Sequence, residues 1–249
     1  MIYAAITAAQ AAGERLRRAF GHELHVNATF AHDIKLAVDE ECQALIYSIL
    51  LDHFPKTRCL GEEGDSNNPG DPGAEIEWIV DPVDGTMNLA CGIPHFCVSI
   101  AAREAAGGRI LLGVIYDPLR HELFTAQRGT GAYLNGIRLK VSSRTRLSEA
   151  VMAVGFAKSQ DSIDHCLKLY QVYGNQARKL RAMGSAALDL AYVAAGRLDA
   201  YIEQGVNLWD IAAGIVLVEE AGGVVETEQK VKGKYRVCAH SGKIDYPLK

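Results

Sequence analysis

The densest chemistry in the chain lies at Asp81-Pro82-Val83-Asp84-Gly85-Thr86. The segment before it, EIEWIVD at 75–81, reads as a strand that ends at Asp81, because Pro82 has no N–H to give a sheet ladder. Such a strand delivers its last side chain to a sheet end, where ligands gather in α/β folds. Pro82 stiffens the exit. Asp84 follows three residues on, so both carboxylates can face one point. Gly85 lets the backbone approach a ligand closely. Thr86 adds a hydroxyl and an N–H, and a helix starting there favours an anion at its N-terminus. Two convergent carboxylates beside an anion site suit a divalent cation with phosphate, since Mg²⁺ takes hard oxygen ligands and shares them with substrate phosphates. The other reading is a plain turn in which Asp84 and Thr86 satisfy the backbone. A D-x-D-x-T nucleophile is excluded, because the spacing here is one residue longer. No GxxxxGK phosphate loop is present.

The elements that must position these residues follow from periodicity. Helical patterns cover roughly 2–20 and 36–54, the second stopped by Pro55. A Gly/Asp/Asn/Pro-rich loop follows at 61–73. Strands are expected at 96–103, 109–116 and 121–126, then a turn at 129–136 and a strand at 137–141. The second half starts with a strand at 151–156 and helices near 162–173 and 185–196. A strand at 198–203 precedes a helix opened by Asp210 and closed by Gly222 and Gly223, and strands near 223–227 and 235–239 finish the chain. This order predicts a mixed α/β fold with two sheets and halves at 1–149 and 150–249.

The 249 residues suffice for one large domain or two small ones. The formal charge is −4, from 26 basic and 30 acidic side chains, a balance that argues against a nucleic-acid partner. Six cysteines form no zinc-type spacing and suit a reduced compartment; Cys91 and Cys97 read as small core residues. The first twenty residues lack the pattern of a signal peptide, and no run is apolar enough for a membrane span. A cytoplasmic protein without membrane contact is expected.

WIVDPVDGTMNLACGIPHFCVSIA at 78–101 resembles the first signature of the inositol monophosphatase family, and LWDIAAGIVLVEEAGG at 208–223 resembles its second. GEEGD at 61–65 is similar to the family's G-E-E loop. The stretches at 113–136 and 183–203 resemble the bacterial members, so the likeness covers almost the whole chain. It implies a layered αβαβα sandwich of the sugar-phosphatase type and a lithium-sensitive, Mg²⁺-dependent phosphatase that turns inositol monophosphate into inositol and phosphate. It also implies a homodimer. Glu62, Asp81 and the Val83 carbonyl would hold one Mg²⁺, and Asp81, Asp84 and Asp210 a second. Glu62 would support a third through water. Thr86 and Asp39 would position the attacking water, and the N–H groups of Gly85 and Thr86 would bind phosphate. Glu203, with Ser185 and Ala186, would face the substrate's hydroxyls. The metals would lower the pKa of the attacking water and stabilise the leaving oxygen.

Taken singly, each residue has a plainer role. Asp210 could be an N-cap, Glu62 and Glu63 a solvated loop, Asp39 a surface charge on a helix, and Glu203 an exposed strand end. His95 is expected to pack near the site without ligating. Leu36 stands where relatives carry Thr, and Leu89 where they carry Phe. Relatives often end in a helix, which Pro247 discourages here. Two alternatives accompany the inositol phosphatase reading. One is the same chemistry on histidinol phosphate, fructose 1,6-bisphosphate or 3′-phosphoadenosine 5′-phosphate. The other is a regulatory binding protein of the transcription machinery. Arg178, Lys179 and Arg181 read as a surface strand edge near the substrate mouth.

Overall fold

The computed structural model describes residues 1–22, 26–30, 33–64, 70–106 and 108–244, with side chains left aside at 26–30 and 33–35. The expectation about Pro247 lies outside these residues, as does part of the 61–73 loop.

Alanines at 4, 5, 8, 9 and 12 and Leu16 make the buried stripe of α1 (Ile2–Ala19). Their small side chains let the helix lie close to its neighbours. A hairpin of β1 (Val26–Phe30) and β2 (Asp33–Leu36) leads into α2 (Ala37–His53), which packs beside α1. Both helices cover one face of a seven-stranded sheet, whose strands lie in chain order. These are β3 (Arg58–Gly61), β4 (Ile76–Asp84), β5 (Cys97–Glu104), β6 (Ile110–Asp117), β7 (Glu122–Gln127), β8 (Gly131–Leu134) and β9 (Ile137–Arg138). β3 and β4 run parallel and the other pairs antiparallel. A short helix, α3 (Thr86–Ala90), joins β4 to β5.

The second sheet has the order β11-β10-β12-β14-β13. Its members are β10 (Val151–Val154), β11 (Lys179–Arg181), β12 (Ala200–Val206), β13 (Val224–Val231) and β14 (Lys234–His240). α4 (Gln160–Tyr173) covers its outer face. Between the two sheets lie α5 (Ala186–Ala194) and α6 (Leu208–Glu220), which touch both. The layers are therefore αβαβα. Strand alternation sorts the core. On β5, Cys97 and Ala101 face the central helices, while Val98, Ile100 and Ala102 face α1 and α2.

Several expectations are corrected. β4 does not stop at Asp81 but runs on through Pro82 to Asp84. The β1–β2 hairpin and β3 had not been read as strands. Part of the turn expected at 129–136 is β8. β13 and β14 are longer than expected because β13 is exposed almost throughout and carries no apolar alternation to reveal it. Cys91 is exposed just past α3, whereas Cys97 is buried. Among the described residues, no helix is long and apolar enough to cross a membrane.

α6 can lie close to the large sheet because a row of small residues crosses it. Ala101, Gly113, Ala126 and Ala132 are successive cross-strand partners. A Cβ on Gly113 would stand 2.5 Å from the Ala213 carbonyl oxygen and 2.8 Å from the Ala213 Cα. Gly113→Val must therefore push α6 away, and a loss of about 2–3 kcal/mol is expected from overpacking. A urea unfolding curve reads this directly; an unshifted midpoint would contradict the close approach.

Candidate active site

The geometry of the site starts from one extra residue in β4. Asp81 pairs with Ser99, but Asp84 pairs with Cys97, so three steps on β4 match two on β5. This is a β-bulge at Pro82–Val83, where the ladder needs no N–H from proline. In a regular strand, residues three apart point to opposite faces. The bulge cancels that parity. Val83 packs in the core toward α1 and α2, and both Asp81 and Asp84 turn toward the central helix layer.

The acids are held there by backbone and hydroxyl groups. Asp81 Oδ1 accepts from the Val83 N–H at 3.0 Å. Asp84 Oδ2 accepts from the Ser185 hydroxyl and from the Ala187 N–H at 2.8 Å, at the N-terminus of α5. Ser185 is also the N-cap of α5, its hydroxyl accepting from Leu188 N–H at 3.4 Å. Asp210 lies in the first turn of α6. It is not the cap, as the sequence suggested; Asn207 is, and the Asp210 carboxylate accepts from the Asn207 N–H at 2.7 Å. Two helix N-termini thus point positive ends at this acidic cluster.

Glu62 joins from the loop after β3. Gln43 of α2 fastens that loop: its amide donates to the Glu63 carbonyl at 2.5 Å and accepts from the Glu63 N–H at 2.9 Å. Gly85, the N-cap of α3, has φ 97°, and a Cβ there would stand 3.0 Å from the His95 carbonyl oxygen. Both facts require glycine. The Thr86 hydroxyl donates to the Val83 carbonyl at 2.9 Å, leaving that oxygen a second lone pair. Asn88 donates to the His95 carbonyl at 2.7 Å and the Met183 carbonyl at 3.0 Å, tying α3 to the segment before α5. Sequence reading missed Gln43 and Asn88, since an amide that clasps distant backbone leaves no local pattern.

These side chains enclose a cleft of about 560 Å³. Glu62, Asp81, Val83, Asp84, Gly85, Thr86, Ser185, Ala186, Glu203 and Asp210, all proposed from sequence, line it. Asp39 is not among the lining residues. It sits in the first turn of α2, buried, and accepts from the Leu36 N–H at 3.3 Å. Ser185 is largely buried where it lines the cleft, and its hydroxyl donates to Asp84. His95 packs its ring edge-on to Tyr192 at 5.9 Å, and burial pulls its pKa down to about 4.

The electrostatics are strained in one sense. Burial pushes Asp81 and Asp210 well above the usual carboxylate range, and the charge of Glu62 adds to both shifts. Burial also lifts Asp84 to about 6, against the hydrogen bonds from Ser185, Ala187 and Ala186 that favour its charge. Glu203 rises to about 7 through burial, although Tyr201 donates to it at 2.7 Å. Four acids facing one cleft favour a bound cation, and all the donors are hard oxygens. That set fits Mg²⁺. Among the described residues, no three of these side chains stand at metal-ligand spacing.

The site is thus a carboxylate cleft between two sheets, flanked by two helix N-termini within an αβαβα sandwich. The family model described as the inositol monophosphatase family matches residues 1–244, and the chain belongs to that family. It is 42% identical over 230 residues to the Nus factor SuhB of Pseudomonas aeruginosa, covering 90% of this chain and 84% of that one. The extragenic suppressor protein suhB from Bartonella henselae superposes with a TM-score of 0.87 at 37% identity, covering 94% of this chain and 92% of that one. The inositol monophosphatase from Anabaena (Nostoc) sp. PCC 7120 does so with a TM-score of 0.82 at 36% identity, covering 97% and 90%.

One expectation falls with these likenesses. The net charge had argued against nucleic acid as a partner, yet a relative this similar is named a Nus factor. A whole-chain sum hides local patches. Lys179 and Arg181 lie exposed on β11, an edge strand of the smaller sheet, next to exposed Arg178.

Asp84 gives a measurable pH dependence in protein freed of metal with EDTA. Its folded pKa is raised, so the charged form destabilises the fold above about pH 6, and the penalty disappears as pH falls toward the unfolded value near 4. Asp84→Asn is therefore expected to stabilise the metal-free protein by on the order of 2 kcal/mol at pH 8, with the gain vanishing near pH 4. Thermal melts of both proteins across that range check it. A variant less stable at pH 8 would contradict the burial penalty.

Proposed function

We propose that the chain is a Mg²⁺-dependent phosphomonoesterase that hydrolyses an inositol monophosphate to inositol and phosphate. The observation that carries this reading is the convergence of Glu62, Asp81, Asp84 and Asp210 on one cleft. Glu62, Asp81 and the Val83 carbonyl would hold one cation, and Asp81, Asp84 and Asp210 another, with Glu62 also supporting a third through water. The cations would supply Lewis acidity at the phosphoryl group.

The chain's own residues do the rest. The N–H groups of Gly85 and Thr86 receive phosphoryl oxygens at the start of α3. The Thr86 hydroxyl in the cleft wall orients the attacking water. Asp39, outside that wall, is assigned to this step only through the start of α2 that it holds. Ser185 fixes Asp84 in place. Glu203, on the inner face of the second sheet, takes hydroxyls of the alcohol that leaves, and Ala186 forms the floor beside it. Histidinol phosphate, fructose 1,6-bisphosphate and 3′-phosphoadenosine 5′-phosphate are the competing substrates. We place the activity in the cytoplasm, which cysteines outside disulfides suit.

A second reading is favoured by the Nus factor relative: a role as a regulatory binding protein of the transcription machinery, with the cations at 178–181 as its contact. The cations at 178–181 do not themselves line the cleft, so the two readings do not exclude each other.

The test is phosphate release from myo-inositol 1-phosphate and the three competitors, with Mg²⁺ and with EDTA. Mg²⁺-dependent release, greatest from the inositol ester, is expected. Asp84→Asn should lower kcat at least about 100-fold by removing charge at the reacting centre. Since the same variant is expected to be more stable without metal, misfolding would not explain the loss. Folded protein that turns over none of the four esters would sink the catalytic reading.

A further inference from the structure

We propose that Gly155 is a positioning residue for Glu203: the side chain it lacks is the slot in which the Glu203 carboxylate lies as it faces the cleft. This deepens the phosphatase reading and rests on it, because it concerns how the cleft reads the alcohol portion of a substrate.

Gly155 follows β10 directly, and its N–H donates to the Ile202 carbonyl at 3.0 Å, continuing the pairing with β12. Its φ is not positive, so no left-handed conformation demands glycine here. Space does. A Cβ on Gly155 would fall 2.5 Å from the Glu203 Cδ and nearer still to Oε2. The atoms met belong to the end of a side chain and not to backbone, so the carboxylate is what must yield.

It has little room to yield while staying in place. On one side Glu203 Oε2 accepts from the Tyr201 hydroxyl at 2.7 Å, and Tyr201 is fully buried. On the other side the segment carrying Gly155 is anchored. The Ala157 N–H donates to the Ser162 hydroxyl at 2.8 Å. Gly205, with φ +96°, admits the Ala157 methyl so closely that a Cβ on it would stand 2.7 Å away. The loop therefore cannot swing out to make space. Gly155 and Glu203 both line the cleft. The Glu203 carboxylate is clamped between a phenol and a missing side chain, and that clamp fixes where it meets a substrate hydroxyl.

The experiment has two readouts. The first is the ratio of kcat/KM for myo-inositol 1-phosphate to that for 4-nitrophenyl phosphate, which offers no hydroxyl, with Mg²⁺. Glu203→Gln should lower this ratio at least about tenfold, the usual scale for a lost polar contact in a specificity site. Gly155→Ala should lower it by a similar factor, mainly through KM for the inositol ester, and Gly155→Ala/Glu203→Gln should lower it no further. The second readout is thermal stability. Gly155→Ala should lower Tm in the presence of Glu203 and leave it nearly unchanged in a Glu203→Ala background, because the clash is with that carboxylate alone. If Gly155→Ala fails to fold, folding of Gly155→Ala/Glu203→Ala supports the slot. An unchanged ratio in Glu203→Gln would overturn the role of Glu203, and the inference with it. A lowered ratio in Glu203→Gln with an intact ratio in Gly155→Ala would overturn the slot alone. Equal loss of Tm in both backgrounds would reduce Gly155 to a structural position and refute the proposal.

Discussion

A β-strand alternates its side chains, and two carboxylates three residues apart on it face opposite ways. The site exists because β4 breaks that rule between Asp81 and Asp84. Pro82 lies within the bulge, where an absent N–H costs no ladder bond. Val83 is turned into the α1–α2 side of the core, which fixes the bulge by apolar burial. The D-x-x-D-G-T motif is therefore a packing device as much as a chemical one. The carboxylates point where they do because Val83 points the other way.

The same cluster is a burden to the fold. Asp81, Asp84 and Asp210 are held where burial opposes their charge. Helix N-termini, the Ser185 hydroxyl and the Asn207 N–H offset part of this cost, and divalent cations would offset the rest. Stability and function pull in opposite directions here, as they commonly do at active sites. The surrounding core is built to bear it. Small residues at Ala101, Gly113 and Ala126 draw α6 tightly onto the sheet, so the helix that brings Asp210 cannot drift away from Asp81.

Much of this was legible in the chain. The D-x-x-D-G-T spacing, the WD helix and the G-E-E loop each leave a local pattern; helical periodicity marked α1 and α2 closely, and start and stop residues marked α6. What escaped was non-local. Pro82 was read as a strand stop because a sequence shows the missing N–H but not whether the ladder needs it. Asp210 was read as a cap because Asp in a first turn and Asp before it look alike; the Asn207 N–H donating to the Asp210 carboxylate decides. β13 carries no apolar alternation, since little packs on it. Gln43 and Asn88 act on backbone twenty and ninety-five residues away. Net charge misled because it averages over a surface on which Arg178, Lys179 and Arg181 stand together.

The division of labour between the two sheets follows from the layering. The larger sheet contributes Asp81 and Asp84, and the smaller contributes Glu203. α6, packed on both, contributes Asp210. The acids suited to metal thus sit on elements locked together by the bulge and by the central helices. The residue suited to reading the alcohol sits on a separate sheet, beside a loop that leads only to α4. On the proposed reading, a change at Glu203 or Gly155 would alter what the cleft accepts without moving the bulge. Asp84 is tied to both the bulge and the start of α5, because the Ser185 hydroxyl and the Ala187 N–H donate to it directly. Substrate choice is therefore the more easily altered property of this architecture, and phosphoryl chemistry the more constrained one.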